Sequence, residues 1–245
     1  VVVIYTHIRK KKFRFVKGAY RSLYVPFDLV KKIAVTGAPL MINEVLWSLG
    51  STYINKCYST RGLFAYAAVN ITSTAWNLFC IIMFAMGTAI SIIVGRELGK
   101  GDREKAIDLD NKLLFVTLFV HIIIGGALVL ASGFIPLLYN VETEVREIAN
   151  SLLIVAGATL PIHALVHSIY FTVRSGGKTM VTFFFDSVYT WVCPALLAFL
   201  LCTFTSLGII PIYLIIQVSD ALKLSIGLLM LKSGSWANTI IPTDK

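Results

Sequence analysis

The stretch KKIAVTGAPLMINEVLWSLGSTYINKCY, Lys31 to Tyr58, decides the fold. Ile33 to Ile54 is apolar enough and long enough to cross a hydrocarbon core of roughly 30 Å as a helix. Glu44 falls near its centre. A carboxylate at that depth costs about 2.5–3.5 kcal/mol on insertion scales, so it should face protein or a wet cavity. Helical spacing puts Gly37, Leu40, Met41, Glu44, Trp47, Ser48, Ser51 and Asn55 on one side. Pro39 lacks an N–H and clashes with the carbonyl of Val35, which predicts a bend one turn before the acid. A bend beside a mid-membrane acid suits an ion or substrate site; the competing reading is a packing helix with Glu44 bonded to a neighbour.

Composition extends that reading to the whole chain. Of its 245 residues, 57% are hydrophobic and only 14% charged, and the mean hydropathy is +0.79. Soluble domains carry about 25% charged residues, so an all-α integral membrane protein is expected. Six crossings follow from the apolar runs: 33–56, 63–94, 113–131, 148–173, 180–201 and 209–231. The second is too long for a perpendicular crossing and should tilt, bend or protrude.

The termini and connections complete the plan. Val1 to Ile8 is apolar but too short to span and reads as the tail of a preceding helix, making the chain a fragment. Residues 9–32 form a basic connection whose setting fits anionic headgroups rather than nucleic acid. Tyr20, Leu23, Tyr24, Phe27 and Val30 recur there at helical spacing, as on an interfacial helix. The six-helix lobe spans 33–231, and 232–245 is a tail. With six crossings, 18 of the 22 Lys and Arg fall on the side of the basic connection. That imbalance places both ends in the cytoplasm, for a protein expected in the cell's inner (cytoplasmic) membrane. The cysteines, Cys57, Cys80, Cys193 and Cys202, have neither metal-finger nor redox spacing and read as free thiols.

Polar residues inside the crossings are the candidate site. Asn70, Ser73, Thr74 and Asn77 share one face of the second, which either lines a wet cavity or joins helices. His163 and His167 stand one turn apart after Pro161; they read as a hydrogen-bonded packing pair or as cavity-facing proton acceptors, with metal or haem ligation the weaker alternative. Asp186, with Tyr189 and Thr190 beyond it, lies near the cytoplasmic start of the fifth crossing and is expected to anchor the Arg174–Lys178 loop. Pro194 marks a further bend. Asp220 and Lys223 are three apart and should pair, unless Lys223 snorkels outward. No P-loop, nucleophile elbow, H-E-x-x-H or G-x-G-x-x-G occurs, which argues against an enzyme.

Four stretches together resemble the multidrug and toxic compound extrusion (MATE) family: PLMINEVLWSLG from Pro39, AYAAVNITSTAWNLFCIIMFAMGTAISIIVGRELGKGDREKA from Ala65, VRSGGKT from Val173 and DALKLSIGLLMLKSGSW from Asp220. The resemblance is to the carboxy-terminal lobe, helices seven to twelve. It implies one lobe of a two-lobe antiporter that expels cationic amphipathic drugs on an inward proton or sodium gradient, with no cofactor and with an amino-terminal lobe as its partner. Glu44 resembles the family's helix-seven coupling acid. His163 stands roughly where some members carry Asp, which favours a proton over sodium. The implied cation-coupling set is Glu44, His163, Asp186 and Asp220; the implied cavity lining is Asn43, Trp47, Asn70, Asn77 and Tyr189. A lipid-linked-precursor flippase of the same superfamily, and a membrane haem or metal protein using His163 and His167, are the alternatives.

Overall fold

In a computed structural model of the chain, residues 25–237 are described, apart from the side chains of residues 32, 36 and 179. The apolar start 1–8, most of the basic connection 9–32 and the end of the tail lie outside the described residues. The described chain is helical, with six helices long and apolar enough to cross a membrane. They correspond one for one to the six apolar runs.

Helix α1, Phe27–Ser59, carries Pro39 inside it. The chain divides at that proline into two units, 1–38 and 39–245, and everything below concerns the second. The second crossing is two helices, α2 (Leu63–Phe79) and α3 (Ile81–Gly99), interrupted at Cys80. Helix α4 is Arg103–Ala131 and α5 is Thr143–Ser175. The fifth crossing runs from α6 (Thr179–Phe183) through two π-helical turns, Phe184–Val188 and Trp191–Ala195, into α7 (Leu196–Phe204). Helix α8, Ile209–Lys232, is last.

Boundaries moved where charge hid a helix. The connection expected over 95–112 is a helical turnabout. Gly101 turns with φ 84°, and Asp102 caps α4 by accepting a bond from the Lys105 N–H at 3.1 Å. The charged residues 103–112 belong to α4 because capping and helix propensity, not hydropathy, set its start. The first part of the predicted tail is also packed. Trp236 is 2% exposed, and its indole N–H donates to the Leu231 carbonyl at 3.2 Å.

Helix α5 is the hub: it packs on α2, α3, α4 and α8. Leu152, Leu153, Leu160, Ile169 and Val173 on it are fully buried. The α4–α5 contact depends on absent side chains. A Cβ on Gly125 would collide with the Gly157 carbonyl oxygen, and one on Gly157 would meet Val129 Cγ2 at 2.7 Å. Small residues bring backbones together in this way where lipid offers no hydrophobic drive between helices. Pro136 is the second residue of the short 3₁₀ turn Ile135–Leu138 that joins the pair at one end.

Gly125→Ala is expected to destabilise the protein by about 1–3 kcal/mol, since backbone must move to admit the methyl. Gly126→Ala, with nothing within 4 Å of its Cβ position, serves as the control. Melting temperatures in detergent compare the two, and equal stability would show that the α4–α5 approach tolerates a side chain.

Candidate functional site

Asn43 is where α1 meets the rest of the bundle. It is 2% exposed. Its Nδ2 donates to Asp186 Oδ2 at 3.1 Å and to Tyr170 Oη at 3.3 Å. The Ser187 hydroxyl donates to its side-chain oxygen at 2.7 Å. Trp191, on the next π turn, donates its indole N–H to the Leu46 carbonyl at 3.0 Å. Expected to line a cavity, Asn43 is instead the inward-facing centre of a polar junction.

Asp186 and Lys223 form the buried pair, with Nζ 2.9 Å from Oδ1. Lys223 is 5% exposed, and the ring centroids of Phe185 and Tyr189 stand 5.3 and 5.4 Å from its ammonium. This corrects two expectations. Asp186 does not anchor the Arg174–Lys178 loop, and Lys223 takes Asp186 rather than Asp220. The π turn at Phe184–Val188 is the physical reason. An i→i+5 turn holds one more residue than an α turn and rotates the side chains on it relative to α-helical counting.

Asp220 is left to His163, whose Nδ1 lies 2.9 Å from Oδ2. His163 also meets the Trp76 ring edge-on, centroids 5.2 Å apart. The two histidines of α5 are therefore not a pair. His167 points elsewhere, between the Phe84 and Phe171 rings at 5.2 and 4.9 Å. Among the described residues no group of three His, Cys, Asp or Glu could hold a metal.

The His163–Asp220 pair opens on a cavity of about 250 Å³, also lined by Trp47, Asn55, Trp76, Tyr213, Gln217 and Lys223. A larger hollow of about 610 Å³ lies among the loops at Thr60–Phe64 and Ser206–Ile209. Its charged lining residues are Arg61 and Glu144, and Arg61 is already committed to the Leu201, Cys202 and Thr205 carbonyls at 2.7–3.1 Å. The smaller cavity holds the His163–Asp220 pair and Lys223.

Glu44 lies outside that cavity. Its side chain is 60% exposed and 3.9 Å from Arg174 Nη1. Asn70 and Asn77 are also exposed on the surface of this unit, while Ser73 and Trp76 of α2 turn to the cavity. Tyr189 donates to the Ser219 carbonyl at 2.6 Å. A polar path joins the acids: Arg174 reaches Tyr170 at 3.5 Å, Tyr170 meets Asn43, and Asn43 meets Asp186 and thence Lys223.

Two buried polar groups escaped the sequence reading. Asp110, 1% exposed, accepts the Thr172 hydroxyl at 2.6 Å. His121, fully buried, meets the Thr117 carbonyl through Nδ1 at 2.7 Å. His121 stands alone in an apolar run, so its signal was available. Asp110 sits among other charged residues and gave none.

The pairing predicts an asymmetric double-mutant cycle. Asp186→Asn with Lys223→Met should show a coupling at least about 1 kcal/mol larger than Asp220→Asn with Lys223→Met, because only the first pair is in direct contact. Thermal unfolding of the single and double variants measures both, and equal couplings would dissolve the assignment.

Residues 39–201 match the model of the MatE family. The chain is 24% identical over 217 residues to the probable multidrug resistance protein YoeA of Bacillus subtilis, covering 87% of this chain and 46% of that protein. It is 20% identical over 242 residues to the probable multidrug resistance protein NorM of Thermotoga maritima, covering 99% and 52%. The chain thus spans about half the length of the curated relatives it matches. Its fold is similar to a MATE crystallised with MaL6, at TM-score 0.81, 15% identity and 95% and 52% coverage. It is also similar to an outward-facing multidrug resistance MATE transporter of the MOP superfamily, at TM-score 0.75, 16% identity and 95% and 52% coverage. The chain belongs to the MatE family, whose members are membrane transporters and not enzymes.

Proposed function

We propose that this chain is the carboxy-terminal lobe of a cation-coupled antiporter that exports cationic amphipathic compounds across the cytoplasmic membrane. The observation that carries the reading is a charge balance. Along the path, Glu44 has Arg174 and Asp186 has Lys223. Asp220 has His163, which is charged only when protonated. A coupling cation therefore leaves the cavity neutral, and its departure leaves one carboxylate uncompensated.

A buried uncompensated carboxylate is costly. An arriving organic cation can relieve that cost, with Trp47, Trp76 and Tyr213 offering ring faces to its apolar body. Two ligands that neutralise one charge exclude each other, and that exclusion couples opposite fluxes. Glu44 and Trp47 stand on the exposed side of α1, the side we assign to the central cavity shared with the amino-terminal lobe. There Glu44, held only loosely by Arg174, can exchange ligands too. Asn70 and Asn77 lie exposed on α2 and are proposed to line the same shared space.

The alternatives draw less support. A flippase for anionic lipid-linked precursors needs free cationic side chains in its cavity, and Lys223 is already neutralised by Asp186. For a haem or metal protein, His163 is taken by Asp220 and His167 is enclosed by aromatic rings.

Ethidium efflux from energised cells producing the protein in its natural context tests the reading. Asp220→Asn and Glu44→Gln should each fold and lower uphill efflux at least tenfold. Unchanged efflux by both, under proton and sodium gradients alike, would remove these acids from the mechanism. Orientation has its own check, in protein whose native cysteines have been replaced. A cysteine placed at Asp102 should resist an impermeant thiol reagent in intact cells, and one at Thr143 should react. The opposite pattern inverts the topology.

A further inference from the structure

The ammonium of Lys223 sits in a box built for a cation. Asp186 supplies a carboxylate oxygen at 2.9 Å, and Asn43 holds the other oxygen of that carboxylate at 3.1 Å. Phe185 and Tyr189 supply ring faces at 5.3 and 5.4 Å. One carboxylate with two aromatic faces, largely withdrawn from water at the edge of the cavity, is an arrangement that captures free cations. Here the captured cation belongs to the chain.

We propose that Lys223 is a tethered cation that occupies this box permanently and bars sodium from it, so that the exchangeable cation of the lobe is a proton held by His163 and Asp220. The proposal rests on the antiport reading and names its coupling ion. A desolvated sodium ion needs several oxygen ligands in a negative surround. Both oxygens of Asp186 are already committed, and the Lys223 charge beside the cavity repels a second cation.

A proton has a place to go. His163 Nδ1 faces the Asp220 carboxylate, while Nε2 is buried without a hydrogen-bond partner. The neutral ring with its hydrogen on Nδ1 donates to Asp220 and keeps the Nε2 lone pair for an incoming proton. Binding turns the imidazole into an imidazolium held by Asp220; release returns the proton to the cavity, and no other bond changes. The titratable groups around this pair are Lys223 and Tyr213 from α8, Tyr58 from α1 and Tyr189 from the fifth crossing; α2 contributes the uncharged Ser73 and Trp76.

The experiment is thermal unfolding of the purified protein in detergent near neutral pH, with sodium chloride exchanged for choline chloride at constant ionic strength. Wild type should show no sodium-dependent shift. Lys223→Ala, which vacates the box, should gain a rise of about 3 °C once sodium exceeds its dissociation constant about tenfold. Asp186→Asn with Lys223→Ala should lose that rise. Lys223→Ser, short enough to leave the box open, carries the same expectation should the alanine variant not fold. A sodium shift of that size in wild type, or folded Lys223 variants indifferent to sodium, overturns the proposal. So does wild-type efflux driven by a sodium gradient at equal pH on both sides. The unfolding measurements need no transport. A protein that exports nothing yet passes them refutes the antiport reading and leaves the tethered cation standing.

Discussion

The Asp186 carboxylate, only partly exposed, is what the arrangement of the crossings depends on. It gathers three of them: Asn43 from α1, its own π turn, and Lys223 from α8. Tyr170 adds α5 through Asn43. Helix α1 leans on this junction: beyond Pro39 its Met41, Val45 and Leu49 are exposed, whereas α5 fully buries Leu152, Leu153, Leu160, Ile169 and Val173. A helix with so little packed surface is positioned by polar contacts. A buried pair of this kind adds little net stability over apolar packing, but losing one partner costs about 3–5 kcal/mol, so it fixes geometry more than it strengthens the fold.

The rest of the bundle is held differently. Between α4 and α5 the backbones touch at Gly125 and Gly157, and the buried Asp110–Thr172 bond locks the same two helices toward their other end. Close packing does not deform smoothly. The junction around Asp186 is a set of directional contacts that can be exchanged one for another. A lobe that must change state is served by both: a rigid pair of helices as frame, and a crossing with π turns whose contacts can be traded.

The fold was legible because the bilayer imposes a length. Runs of about 20 apolar residues and a lopsided distribution of Lys and Arg leave few ways to thread six crossings. Helix ends were less legible, since residues 103–112 are helical for reasons of capping that hydropathy does not register. For the site, residue types could be read but partners could not. Asp220 and Lys223 are neighbours on one helix face, yet each bonds across to a different crossing. Those choices depend on the rotation of each helix about its axis, and the π turns at 184–188 and 191–195 alter that rotation without leaving a mark in the apolar pattern. Asn43 shows the same limit. Its place beside Glu44 suggested a shared face, but one residue along a helix is a turn of about 100°, enough to put Asn43 inside and Glu44 outside.

That separation has a functional consequence. Glu44 and Asp220 face different spaces, one the exposed side of α1 and the other the cavity. Between them runs a chain of alternating charges and dipoles: Arg174, Tyr170, Asn43, Asp186 and Lys223. Each link is a hydrogen bond or ion pair whose strength depends on the charge of the next, and in a low-dielectric interior such links polarise one another. Neutralising Asp220 weakens its pull on Lys223, which then bears harder on Asp186. Two donors share that carboxylate, so a tighter Lys223 pair leaves Asp186 a weaker acceptor for Asn43, the contact that positions α1. On the proposed antiport reading, occupancy at the inner acid would thereby loosen the helix that carries the outer one. The loosening needs no movement of the α4–α5 frame, because every link lies on the side of α5 that faces α1 and the fifth crossing.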